Sequence, residues 1–170
     1  MKKIFFLFVF LTTAAVGFSQ RYAIIDTKYI LDKMPEYKDA QKQLDDIAAD
    51  WQKEIDGMQQ ELDRMYKDFD AEQVMLSEDL KKKREDQLFV KEKTLRDLQR
   101  KRFGFEGDLF KKRGELIKPV QDKVYNAVQK MAVAHGYDFV LDKSEGITII
   151  FADPKLDRSS DILQQLGIKD

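Results

Sequence analysis

Apolar residues change their spacing repeatedly along this sequence, and each change predicts a different element. An apolar run extends from Ile4 to about Val16. Tyr22, Ala23, Ile24 and Ile25 then form a short apolar cluster that reads as a strand buried on both faces. Pro35 ends this opening and suits the first turn of a following helix. From there Tyr37, Ala40, Leu44, Ile47, Trp51, Ile55, Met58, Leu62, Met65 and Phe69 recur at intervals of three and four. That spacing is a coiled-coil seam, with one stutter at Trp51–Ile55 where two fours adjoin. About forty helical residues make an arm of roughly 60 Å.

The seam lapses near 72–78, which places a hairpin tip there. Ser77, followed by Glu78 and Asp79, suits the positive end of a second helix. The return seam is Leu88, Leu95, Leu98, Phe105, Leu109 and Leu116, with a second row of Phe89, Phe103, Phe110 and Ile117 beside it. The stretch from Ser77 to Lys118 matches the outgoing arm in length, as a hairpin requires. Pro119 falls inside a continuing helical pattern (Val120, Val124, Ala127, Val128, Met131) and predicts a kink or the start of a new segment. His135 suits the negative end of that helix and Gly136 the position just beyond it.

Near the end the period becomes two. Tyr137, Phe139 and Leu141 share one face, as do Ile147, Ile149 and Phe151, with Ile150 opposite. Residues 143–146, ending in Gly146, predict a short hairpin loop between two strands. Asp153-Pro154 is a turn, and Ser159-Ser160-Asp161 opens a last short helix closed by Gly167. The expected fold is α+β and mainly α. A small β body with flanking helices takes 20–35 and 119–170, and a coiled-coil hairpin arm takes 36–118. Three short strands leave unpaired edges and no independent robustness, so closure of several such sheets into a barrel by self-association is expected. The strand residues Tyr22, Ile24, Ile25, Phe139, Val140, Leu141, Ile147, Ile149, Ile150 and Phe151 would carry it.

Composition refines this outline. Lys2 and Lys3, the apolar run, and the small residues Gly17 and Ser19 read as a signal peptide over 1–19, cleaved after Ser19. The chain has no Cys, which excludes disulfides, thiol chemistry and lipid attachment at a cleavage-site cysteine. No later stretch is apolar and long enough to span a bilayer. Residues 36–76 hold 5 basic and 12 acidic residues, and 77–118 hold 14 basic and 9 acidic. An acidic half followed by a basic half suits two antiparallel neighbours, and the basic half is then neutralised rather than left for nucleic acid.

No nucleotide loop, nucleophile elbow or Cys nucleophile is present, and one His supplies no metal cluster. No enzyme activity, cofactor or metal is expected, and acidic pairs such as Asp45-Asp46 read as solvated helix faces. Two helices bury their seams in each other but have no third layer for aromatics beside the seam. Tyr66, Phe69, Met75, Phe89 and Phe103 are therefore candidate binding or protomer-contact residues. Gly104, Gly107 and Gly114 are unusual in a helix, and read as close packing or as an arm that must bend.

The opening AIIDTKYILDKMPEYKDAQKQL, the charged helical hairpin and the ending GYDFVLDKS…ITIIFADPKLDRSSDILQQLG together resemble the Skp/OmpH family of periplasmic chaperones. The likeness covers essentially the whole chain after the signal, and its ends are the specific part. It implies a homotrimer with a β-barrel body whose hairpins enclose unfolded outer-membrane proteins, holding them without ATP until membrane insertion. It also implies a periplasmic location and leaves room for peripheral membrane contact. The family's cap before the last helix departs here to Asp157-Arg158-Ser159-Ser160-Asp161. Better-known members are strongly basic, whereas without Lys2 and Lys3 this chain has 28 basic against 31 acidic residues, so no lipopolysaccharide site is carried over. The competing expectation is a coiled-coil spacer or adaptor of the cell envelope.

Overall fold

In chain order the elements are β1 (Tyr22–Ile25), α1 (Thr27–Lys33), α2 (Pro35–Glu72), α3 (Glu78–Phe103), α4 (Asp108–His135), β2 (Phe139–Asp142), a 3-10 turn (Pro154–Leu156) and α5 (Ser159–Gln165). The structure, a computed structural model, describes residues 21–144, 146 and 149–169. The expected signal segment and Ile147 lie outside the described residues. Met34–Asp122 forms one compact unit, and the chain on either side of it forms the other.

In the Met34–Asp122 unit, α2 is a single helix of 38 residues, about 57 Å at 1.5 Å per residue. Pro35 sits in its first turn, where a missing N–H costs nothing. Its exposed face carries repeated Gln-to-Asp pairs four residues apart (Gln41–Asp45, Gln52–Asp56, Gln59–Asp63), each a side-chain hydrogen bond along the helix. The chain turns over at 73–77 and returns as α3. Ile55 and Leu62 of α2 are buried with Leu88 and Leu95 of α3, and Met58, Met65, Phe69 and Leu98 pack against them half-buried. Nested ion pairs confirm the antiparallel register: Glu54–Arg102 at 3.4 Å, Glu61–Lys91 at 2.6 Å and Glu72–Arg84 at 3.7 Å. An acidic limb thus lies beside a basic one.

The return limb breaks between Gly104 and Gly107, two of the three glycines that read as close packing or as a bend in the arm. Helix α3 ends at Phe103, Gly104 takes an extended conformation (φ −68°, ψ 171°) and α4 begins at Asp108. Pro119, by contrast, lies inside α4 without interrupting it. Ile117, Val120, Val124, Ala127 and Met131 form one buried row along α4. Burying each of the four larger side chains contributes roughly 1.5–3 kcal/mol, so the row outweighs the ~3 kcal/mol cost of an interior proline. At the break, a Cβ on Gly107 would lie 2.8 Å from two backbone oxygens, those of Lys101 and Gly104.

In the other unit, β1 and β2 pair in parallel, with Tyr22 opposite Phe139 and Ile25 opposite Asp142. On its other edge Ile24 forms an isolated bridge to Asp157, and its carbonyl accepts from the Arg158 amide at 2.8 Å. Ala23, Ile24 and Ile25 are accordingly buried, and Ile30, Ile162 and Leu163 complete the core beneath them. Residues 149–153 differ from expectation, for they carry no strand. Ile150 is 94% and Phe151 86% exposed. Both edges of β1 are occupied, by β2 and by the segment at Asp157, while among the described residues the outer edge of β2, where the expected hairpin would place 149–153, carries no strand.

Candidate functional site

Carboxylates fasten the body. Asp26 accepts from the Tyr29 amide at 2.8 Å and so caps α1. Asp142, at the end of β2, accepts from the Thr27 amide at 3.2 Å and the Ser144 amide at 2.9 Å, and from both hydroxyls. Partial burial would push the Asp142 carboxyl up, but the bonds from Thr27 and Ser144 prevail and hold it below the usual carboxylate value. Asp157 behaves alike: burial opposes its charge, while Lys143 at 2.7 Å and the Ser159 amide at 2.9 Å hold it low. Lys143 is pushed up in return, mainly by its bond to Asp157. The Ser159 hydroxyl, buried, accepts from the Asp26 amide at 2.9 Å. Asp157, one residue ahead of the N-cap Arg158, thus accepts from the first amide of α5, and the Arg158 side chain itself makes no capping bond. Every one of these groups closes a turn or a helix end. Among the described residues no group of His, Cys, Asp and Glu could hold a metal ion. No helix among them is long and apolar enough to cross a membrane.

The candidate arm residues are placed as follows. Tyr66 and Phe89 are exposed on α2 and α3, and Met75 stands at the turn, 80% exposed. Phe69 is half-buried against the hairpin core, and the Phe103 ring meets Trp51 edge-on at 6.4 Å between centroids. Phe69 and Phe103 are therefore also packing residues, and the five form no single cluster. Several apolar positions were not singled out beforehand. Val74 lies in the turn and Leu80 just after it, and Val90 lines a groove with the seam residue Met65 and with Glu61, Lys83, Asp86 and Lys91. Phe105 is 97% exposed. Its place in the return seam pointed to burial, and only the glycines on either side hinted otherwise. In the body, Tyr22, Phe139, Ile150 and Phe151 add an exposed apolar surface. The arrangement sets separate apolar side chains on a charged surface.

A family model described as outer membrane protein (OmpH-like) matches residues 21–166. The chain belongs to the OmpH-like family. Chaperone protein Skp of Yersinia enterocolitica is 24% identical to it over 146 residues, spanning 86% of this chain and 85% of that protein. An OmpH-like protein from Caulobacter crescentus superposes with a TM-score of 0.70 at 16% identity, over 88% of this chain and 85% of that one. The α+β, mainly α fold with its long helical hairpin is thus the OmpH-like fold, and its relatives are chaperones of the Skp/OmpH family.

Proposed function

We propose that this OmpH-like protein is an ATP-independent holdase of the periplasm that binds unfolded outer-membrane proteins and prevents their aggregation before insertion. The observation that carries the reading is a helical hairpin whose charged surface exposes isolated apolar side chains, among them Tyr66, Met75 and Phe89, in a chain of a chaperone family. Many weak contacts of this kind hold a client without fixing its conformation, and release follows when the client buries its own apolar surface in the membrane. In this reading the body assembles as a homotrimer, which would cover Tyr22, Phe139, Ile150 and Phe151 and give 149–153 the pairing partner it lacks within one chain. No catalysis or cofactor is involved.

The test is aggregation of a urea-denatured β-barrel membrane protein on dilution, followed by light scattering with and without the purified chain. Suppression near stoichiometric amounts is expected; none at molar excess refutes the holdase and favours a structural spacer. Sedimentation at micromolar concentration reads the assembly, and a monomer there contradicts the trimer.

A further inference from the structure

The break in the return limb is a built structure, and what it presents to solvent is Phe105. Three elements converge on one guanidinium. Arg102, near the end of α3, lies over the Trp51 ring of α2 at 4.6 Å from its centroid. It also donates to Asp108 at the start of α4 at 2.9 Å and to Glu54 of α2 at 3.4 Å. Beyond it the chain turns sharply. The Gly104 amide donates to the Arg100 carbonyl at 2.8 Å, the Gly107 amide to the Gly104 carbonyl at 2.9 Å, and Glu106 adopts a positive φ of 54°. That conformation is uncommon for any residue but glycine and persists only where its surroundings impose it. In an uninterrupted helix the spacing of the seam would turn Phe105 toward α2. Instead the turn leaves the ring 97% exposed while the smaller Gly107 is buried. The fold thereby gives up the burial of a large aromatic at a position where the sequence pattern offers it.

We infer that Phe105 is an anchor for apolar segments of unfolded polypeptide that carry carboxylates, and that Arg102 is the positioning residue that holds it out. The inference rests on the holdase reading and names a contact within it. Charge selects the occupant: of the six basic side chains in residues 100–113, Arg102 is held by Glu54 and Asp108 and Lys112 by Glu115, which leaves Arg100, Lys101, Lys111 and Arg113 against the one remaining acid, Glu106. An aromatic beside excess positive charge receives an apolar group flanked by acids in preference to one flanked by bases.

The experiment uses the full chain and three fluorescent peptides: an acidic peptide containing tryptophans, the same peptide with lysines for the acids, and the acidic peptide with alanines for the tryptophans. Fluorescence anisotropy is expected to rank the first peptide tightest. Phe105→Ala is expected to weaken it about tenfold, with helicity and sedimentation unchanged. Arg102→Gln is expected to accelerate hydrogen exchange at the Gly107 and Lys111 amides and to weaken the same peptide, with partial recovery in Arg102→Lys. In the Phe105→Ala background Arg102→Gln adds no further loss, whereas a general structural effect would add to it. Wild-type protein that binds the peptide and suppresses aggregation while Phe105→Ala does both equally well overturns the anchor alone. Wild-type protein that does neither overturns the holdase reading and the anchor with it. A change in assembled mass on Phe105→Ala would place the ring between copies and also overturns it.

Discussion

Leu62→Ala measures how the hairpin is held together. Leu62 is 3% exposed, in a cluster with Ile55, Leu88 and Leu95. The substitution removes about three carbons, worth roughly 2.4 kcal/mol at 0.8 kcal/mol per buried methylene group. A cavity adds to this, but only a little. The cluster is one layer thick, and the half-buried Met58 and Met65 have flexible side chains able to move into the gap. The expected loss is therefore about 2.8 kcal/mol, toward the low end of the usual range for such truncations. Because the hairpin and the body are separate compact units, a single melting temperature would blend them, and hydrogen exchange resolved along the chain is the better assay. Amides flanking residues 55–62 and 88–95 should exchange about a hundredfold faster, which is that energy converted at 1.4 kcal/mol per decade. Leu80→Ala, at a half-exposed site, should change exchange less than about threefold. Equal effects from the two substitutions would refute the claim that the seam, rather than the charged faces, holds the limbs together.

Other expectations concern the break, the body and its acid response. Gly107→Ala should cost about 1–3 kcal/mol because its new methyl meets two carbonyl oxygens, while Gly114→Ala, with open space around its Cα, should gain about 1 kcal/mol; urea unfolding reads both. Ser159→Ala leaves the Asp26 amide without its acceptor and should destabilise the body by about 1–2 kcal/mol in the same assay. Asp142 and Asp157 have folded values below 3.8, so the stability they contribute is complete above that value and is lost as the pH falls below it. Lys143, raised above 10.5, contributes below that value and loses its contribution at higher pH. Asp142→Asn should flatten the acid limb of a stability–pH profile, and an unchanged limb would contradict the network's role.

Much of the hairpin was legible because its signal is local and repeated. Ile55, Leu62, Leu88 and Leu95 declare themselves by spacing, and the lapse near 72–78 coincides with the turn at 73–77. The break was only half legible, as one of two readings of the glycines, because it depends on a balance of energies that no single residue displays. Pro119 looked like the stronger interruption, yet a row of buried side chains carries the helix through it. At Gly104–Gly107 the helix has no such row to defend, and Arg102 supplies contacts that only the folded arrangement makes available. The strand expected at 147–152 is missing over 149–152, for a different reason. Alternation shows that a segment can sit in a sheet, but not that it does: here Asp157 bridges to β1 and the outer edge of β2 carries no strand among the described residues. The candidate surface was legible where aromatics lie off the seam, as at Tyr66 and Phe89, and illegible at Phe105, whose position in the pattern pointed inward.

The parallel ladder between β1 and β2 also sets an order of events. Its first hydrogen bond must span residues 26–138, and closing a flexible loop of that length costs about 4 kcal/mol in chain entropy. Helices and a hairpin made of neighbouring contacts form in microseconds and shorten that loop before the ladder is attempted. On a ribosome, β1 is made first and waits unpaired, with Ile24 and Ile25 exposed, until the whole arm and then β2 have been synthesised. The protein is thus for a time a chain in need of the same protection that its relatives' name describes, and the faster the arm zips, the shorter that time. Equal insertions in both limbs would leave the ladder's register untouched, which frees arm length to vary while the body stays the same.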